Sequence, residues 1–267
     1  MFAVFGNPVA HSWSPQIHQC FASQEGRQLV YERRLVPIDS FADKVQEFFR
    51  SGGVGANVTV PFKTEAFQLA DEVSERAQAA QAANTLFMRN GRLYADNTDG
   101  VGLVRAIEQV ANYGLCDKRI LLLGAGGAAQ GVIQPLLNQR PASISIANRT
   151  VTKAEKLAAK FATSWLPVNE IKPDYDVIIN ATSGSLQGEM MPIDLAVLAR
   201  AELVYDMMYG SEPTLFLQQA QQAGCRQTVD GLGMLVAQAA ESYYLWHGFR
   251  PDINDVVLAL RQQMDQP

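Results

Sequence analysis

From residue 119 onward the apolar residues fall in short runs without alternation: "RILLL" (119–123), "SISIA" (143–147), "DVIIN" (176–180) and "LVYD" (203–206). Strands covered on both faces of a parallel sheet are written this way, because neither side meets water. Helical stretches separate the runs, over residues 127–138, 153–161 and 215–223, which is the grammar of a doubly wound βα unit. The first third mixes its elements differently. "FAVF", "LVYERRLV" and "GANVTV" read as strands, residues 15–23 and 41–50 as helices, and "LFMRNGRLYA" as a hairpin turning at Asn90-Gly91. A helix over 101–112 leads away from it. After Gly231, "LGMLVAQAAESYYLWHG" predicts an apolar helix and "DINDVVLALRQQM" an amphipathic one. The pattern therefore predicts an α/β chain in two domains, residues 1–100 and 101–230, with helices over 231–267 returning to the first.

Composition narrows the classes. With 267 residues and 48% apolar content the chain can bury a sizeable core, and a net charge of −5 argues against a nucleic-acid or anionic-membrane surface. Cys20, Cys116 and Cys225 are an odd number, far apart and without a CxxC pair. They suit a reducing cytosol and neither a disulfide frame nor a zinc site. His11, His18 and His247 fit no metal-ligand spacing, so no metal is expected. "MFAVFGNPVAHS" has no signal-peptide character, and no apolar run reaches the ~18 residues of a membrane span. A cytoplasmic protein is expected.

The first chemical motif is "LLLGAGGAAQGV", with Gly124, Gly126 and Ala129 in GxGxxA spacing. Placed after a strand and opening a helix, it predicts a dinucleotide pyrophosphate on the backbone of Gly124, Ala125, Gly126, Gly127 and Ala128. At the end of the next strand an NAD-binding chain places an acid for the ribose. This chain has Asn148, Arg149, Thr150 and Lys153 there instead, which suits the 2′-phosphate of NADP. Thr150 is equally a helix cap. A methyltransferase would want that same acid, and a non-catalytic nucleotide sensor would need no catalytic pair.

The second motif is "NVTVPFK". With Pro61 at the first helical position, Lys63 falls in the first turn, where a cation is disfavoured by roughly 0.3–1 kcal/mol. Ser14, before Pro15, reads as an N-cap, and Asp99 in "NTDGVG" as either a cap or a catalytic acid. Asn84 in "AANT" is by itself a loop residue, and Tyr209 and Gln238 are by themselves core-edge residues with a satisfied polar tip.

"GNPVAHSWSPQIH", "NVTVPFK", "AANT", "DNTDGVG", "GAGGAA", "NRTVTKA", "NATSGS", "YDMMY" and "GLGMLVAQAAESYYLWHG" occur in this order. In these motifs the chain resembles the shikimate/quinate dehydrogenase family from end to end. The resemblance implies a substrate-binding domain followed by a Rossmann NADP domain. It implies reversible NADPH-dependent reduction of 3-dehydroshikimate to shikimate, on the route to chorismate and the aromatic amino acids. Lys63 and Asp99 would manage the proton. Ser12, Ser14 and Tyr209 would hold the carboxylate, Thr59 would seat the substrate, and Asn84 and Gln238 would take ring hydroxyls. Met207 and Gly231 would border the nicotinamide, with Thr182 and Ser183 near the cofactor at a strand end. Partners would be small molecules, the chain a monomer or homodimer. A quinate/shikimate dehydrogenase using NAD is the alternative, and "NRTVTK" argues against it. The chain departs from the family pattern at Trp13, between the two serines, at the His18-Gln19 pair and at Gly184.

Overall fold

The computed structural model describes residues 1–184 and 191–264. Ser185, the end of the "NATSGS" stretch, lies outside them. Two six-stranded sheets organise the chain.

The first holds β1 (Phe2–Gly6), β2 (Tyr31–Leu35), β3 (Gly55–Val58), β4 (Glu72–Val73), β5 (Thr85–Arg89) and β6 (Arg92–Asp96). Their order is β2-β1-β3-β5-β6-β4. β1 runs parallel to β2 and β3, whereas β5 is antiparallel to β3 and β6. The β5–β6 hairpin turns at Asn90 (φ 52°) and Gly91 (φ 77°), the pair of positive φ values a type I′ turn requires.

The second sheet is parallel throughout, with β7 (Arg119–Leu123), β8 (Ser143–Ala147), β9 (Ser164–Leu166), β10 (Val177–Asn180), β11 (Leu203–Asp206) and β12 (Thr228–Val229). The order β12-β11-β10-β7-β8-β9 reverses direction between β7 and β10, where doubly wound sheets open a crevice for ligands. The apolar run at 119–123 now has its reason. Ile120 and Leu122 enter the core on one face of the sheet, and Leu121 and Leu123 the core on the other. Gly124, just past β7, has φ 116°, a conformation that only glycine adopts readily. The chain can turn there directly into α6 (Gly127–Leu137).

The remaining helices are α1 (Ser14–Glu25), α2 (Phe41–Arg50), α3 (Lys63–Leu69), α4 (Glu75–Ala80), α5 (Asp99–Arg105), α7 (Val151–Phe161), α8 (Leu195–Arg200), α9 (Leu215–Ala223), α10 (Leu232–His247) and α11 (Asn254–Met264). Leu232, Val236, Ala240 and Tyr243 of α10 share a core with Ile17 and Phe21 of α1 and with Val256 and Leu260 of α11. The C-terminal helices thus lie against α1, beside the first sheet.

Several local expectations need correction. Pro61 is not at the first helical position. The N–H of Phe62 bonds the carbonyl of Thr59 at 3.0 Å, closing a turn that contains the cis Val60–Pro61 bond, and α3 begins at Lys63. Ser14 is not a cap but the first residue of α1. Trp13 holds the cap position, and the hydroxyl of Ser12 accepts the N–H of Ser14 at 3.3 Å. Asp99 likewise opens α5 rather than capping it, and Thr150 stands at the cap of α7 without a side-chain bond. The helix expected over 101–112 starts two residues early and relaxes into a π-turn at Ala106–Val110. Each of these side chains has been released from a backbone duty.

Candidate active site

A cavity of about 330 Å³ lies between the first sheet, α10 and the loop after β11. Every residue expected to touch the substrate lines it: Ser12, Ser14, Thr59, Lys63, Asn84, Asp99, Tyr209 and Gln238. Met207 and Gly231 line it too. Such a volume, near the lower end for ligand sites, accommodates one small ring.

Its charged centre is an ion pair. Lys63 Nζ donates to Asp99 Oδ2 at 2.5 Å, joining the first residues of α3 and α5. The Asp99 carboxylate sits favourably at a helix N-terminus, and Lys63, unfavourable at its own, gains the carboxylate as partner. The other carboxylate oxygen of Asp99 accepts from Asn84 Nδ2 at 2.9 Å. Backbone bonds hold this geometry from behind. The Lys63 carbonyl accepts from Ala83 N–H at 2.8 Å, and the Asn84 carbonyl accepts from Val58 N–H at 2.8 Å.

Asn84 is the junction of a polar network. The second N–H of its amide donates to Gln238 Oε1 (3.1 Å), while its Oδ1 accepts the N–H of Thr98 at 2.9 Å and the hydroxyl of Thr98 at 3.1 Å. Asn84 is a loop residue as expected, in the bend before β5, but it is 2% exposed and its side chain bonds residues of α5 and α10 and the residue before α5. Buried amides that satisfy their bonds in one arrangement hold their neighbours in one arrangement.

Asn57 was missed by the sequence reading, as were Met234 and Leu235 in the cavity wall, whereas Trp13, singled out between the two serines, lines the cavity. Asn57 Oδ1 accepts from Tyr31 Oη at 2.7 Å and pairs with His18 Nε2 at 3.1 Å, so its Nδ2 points to Ser242 Oγ (3.0 Å) and the Asn84 carbonyl. A polar residue inside an otherwise apolar buried strand was the signal that could have found it. His18 stacks on Tyr31 with ring centroids 4.5 Å apart, and burial pushes it down to about 3. It therefore stays neutral at ordinary pH and supplies shape, not charge. The aromatic residues Tyr243 and Trp246 pack around it, as expected of helix packing.

On the other side stand the C-terminal ends of the parallel strands. Thr182, after β10, donates through its hydroxyl to Asn180 Oδ1 at 2.7 Å, and Asn180 Nδ2 donates to Asp206 Oδ1 at 3.0 Å. A Cβ added to Gly124 would lie 3.0 Å from Thr182 Cγ2, so the turn after β7 packs directly against this loop. Gly126, Gly127 and Ala128 are exposed, and a Cβ on either glycine would meet open space, leaving a cradle of backbone at the start of α6. Asn148 donates to the carbonyl of Thr150 at 2.9 Å, bending the chain after β8 so that Arg149, Thr150 and Lys153 are presented outward. Ser183 is exposed as well. These positions, expected to hold the cofactor, lie outside the 330 Å³ cavity; among the described residues expected to meet the cofactor, only Met207 and Gly231 line it. A Cβ on Gly231 would come within 2.1 Å of the Met207 carbonyl, so no larger residue fits at that seam.

Among the described residues no cluster of histidine, cysteine or acidic side chains could hold a metal, and no helix is long and apolar enough to cross a membrane.

Comparison with known proteins gives the same picture. Residues 4–86 match the shikimate dehydrogenase substrate binding domain, residues 106–188 shikimate / quinate 5-dehydrogenase, and residues 231–261 the shikimate 5′-dehydrogenase C-terminal domain. Shikimate dehydrogenase (NADP(+)) of Nitrosospira multiformis is 50% identical, over 100% of this chain and 99% of that protein. The crystal structure of an Ael1 enzyme from Pseudomonas putida superposes with a TM-score of 0.94 at 41% identity, covering 100% of this chain and 98% of the other. Shikimate 5-dehydrogenase from Thermus thermophilus, solved with NADP(H) and shikimate, gives 0.89 at 32% identity over 98% of both chains. With the ordered motifs, the two sheets and these full-length matches in agreement, the chain belongs to the shikimate dehydrogenase family.

Proposed function

We propose that this chain carries out the NADP-dependent shikimate dehydrogenase reaction, the reversible reduction of 3-dehydroshikimate to shikimate in aromatic amino-acid biosynthesis. One observation carries the reading: the Lys63–Asp99 pair stands inside a cavity sized for one small ring, and that cavity meets the parallel sheet at Met207 and Gly231.

The exposed backbone cradle of Gly124, Ala125, Gly126, Gly127 and Ala128 suits a pyrophosphate at a helix N-terminus. Asn148, Arg149, Thr150 and Lys153 would surround the adenosine ribose, and Thr182, Ser183, Met207 and Gly231 would flank the rest of the dinucleotide. When bound, NADPH supplies the hydride. Ser12 and Ser14, with Tyr209, would take the substrate carboxylate, while Thr59, Asn84 and Gln238 orient the ring. Lys63 has two N–H donors beyond the one used by Asp99. One of them would meet the carbonyl oxygen and deliver a proton as the C=O π pair becomes an oxygen lone pair. A cytoplasmic location and a monomeric or homodimeric state complete the reading.

The test is shikimate-dependent reduction of NADP, with quinate and NAD run in parallel. NADP with shikimate is expected to give the highest kcat/KM. Arg149→Ala should lower kcat/KM for NADP at least ~10-fold and barely change it for NAD, since a hydrogen bond to a charged group is worth about 1.5–3 kcal/mol. Equal losses, or a wild type that prefers NAD or quinate, would overturn the cofactor and substrate assignments.

Ser14→Ala separates binding from folding. Its hydroxyl makes no cap bond, so thermal stability should hold. KM for shikimate should rise about 10-fold through a lost charge-assisted bond, with KM for NADP unchanged. A matched loss in both, tracking Tm, would remove Ser14 from the carboxylate site.

A further inference from the structure

Arg261, on α11, does not line the active-site cavity, yet it grips two of the segments that do. Its Nη1 donates to the carbonyl of Gly210 at 2.7 Å, one residue past Tyr209. Its Nη2 donates to both carboxylate oxygens of Asp230, at 2.7 and 2.6 Å, one residue before Gly231. Asp230 Oδ1 in turn accepts the N–H of Leu232 at 3.2 Å, bracketing Gly231. The N–H of Gly231 donates to the Met208 carbonyl at 3.0 Å, so the two segments are already zipped together. There is no slack at this seam, because Gly231 abuts the Met207 carbonyl too closely to admit a Cβ.

A planar guanidinium can serve a carbonyl and a carboxylate at once in fixed geometry, which a lysine ammonium on a flexible stem does less well. The Asp230 side chain is 13% exposed and that of Arg261 33%, so the carboxylate end of the pair is the better shielded from water. We infer that Arg261 is a positioning residue: it clamps segments 207–210 and 230–232 so that the wall formed by Met207, Tyr209 and Gly231 keeps the distance between cofactor and substrate. This rests on the proposed reaction, because only a hydride transfer across that seam makes the wall's position decisive.

The measurement is the pre-steady-state first turnover of hydride transfer by stopped flow, at saturating shikimate and NADP, with wild type, Arg261→Gln and Asp230→Asn. Arg261→Gln should lower the rate constant about 10-fold while the amplitude, relative to wild type at equal total protein, stays near one. Asp230→Asn, which leaves the Gly210 bond in place, should lower it less, and the double variant should resemble Arg261→Gln. Inhibition by adenosine 2′,5′-bisphosphate, which lacks the nicotinamide end, should be unchanged in all three. An arginine that only docks α11 would lower the amplitude and Tm and leave the rate constant alone; that result overturns the inference. Should Arg261→Gln not fold, Arg261→Lys keeps the helix-docking stem, and a rate constant less than about 3-fold below wild type overturns it equally. Absence of shikimate-dependent turnover in the wild type would overturn the proposed reaction, and this inference with it. Normal wild-type turnover beside an unaffected variant removes Arg261 alone.

Discussion

Replacing Lys63 with alanine is expected to lower kcat by about 10²–10⁴-fold and to change KM for shikimate far less. The reason is where the ammonium stands. It opens α3, where the helix dipole disfavours a cation, and it reaches into the cavity to Asp99 Oδ2 at 2.5 Å. With a side-chain exposure of 31% it keeps donors available to a ligand, whereas Asp99 at 16% is more enclosed. In the proposed reaction, removing it takes the proton source from the carbonyl oxygen, a loss felt only as charge develops in the transition state. The contacts proposed for Ser12, Ser14, Asn84 and Gln238 stay. The fold should hold as well, since Asp99 keeps its bond from Asn84 and its place at a helix N-terminus. Steady-state kinetics with shikimate and NADP decide the matter. A variant within a few-fold of wild-type kcat would make Lys63 a partner of Asp99 and nothing more.

The sequence was most readable where one physical cause dominates. The strands at 119–123 and 203–206 are apolar on both faces because both faces are core, so their limits could be read directly; 143–147 was read with them, although only Ile144, Ile146 and Ala147 are buried there. Asn90-Gly91 demanded positive φ twice, and the turn followed. β4 and β12 are only two residues long, and their pairing defines them rather than any periodicity. The helix starts misled for a different reason. Ser14, Thr150 and Asp99 are good capping types, and local preference cannot show that a side chain is spent elsewhere, as Asp99 is on Lys63. For the site, the motif residues expected to touch the substrate meet in one cavity, while Asn57 and Arg261 went unread. Their roles depend on contacts across large sequence separations: Asn57 with Ser242, Arg261 with Asp230 and Gly210. The apolar neighbours of Asn57 mark it as a buried polar residue, but the neighbours of neither residue name those partners.

Asp99→Asn should lower kcat by about 10²-fold or more, and the double variant with Lys63→Ala should be little worse than Lys63→Ala alone. The amide matches the carboxylate in size but is neutral, so it anchors the ammonium less strongly than the charge-assisted bond does. It also disturbs Asn84: the Nδ2 that now donates to Oδ1 at 2.9 Å would face either an amide oxygen or an amide N–H. The Thr98 and Gln238 bonds of Asn84 tend to keep its orientation, which leaves the new amide oxygen toward Asn84 and the new NH₂ toward Lys63. Two donors would then confront each other where an ion pair had been, and Lys63 would be pushed from the carbonyl oxygen it serves. Groups that act as one unit lose their function together, so their penalties do not multiply. If Asp99 instead carried a separate duty, such as taking a proton from a ring hydroxyl unaided, the two losses would combine to at least ~10⁴-fold. Measuring kcat for both single variants and the double variant under one set of conditions distinguishes these outcomes. A multiplicative result would assign Lys63 and Asp99 to different steps and end the account of a shared proton.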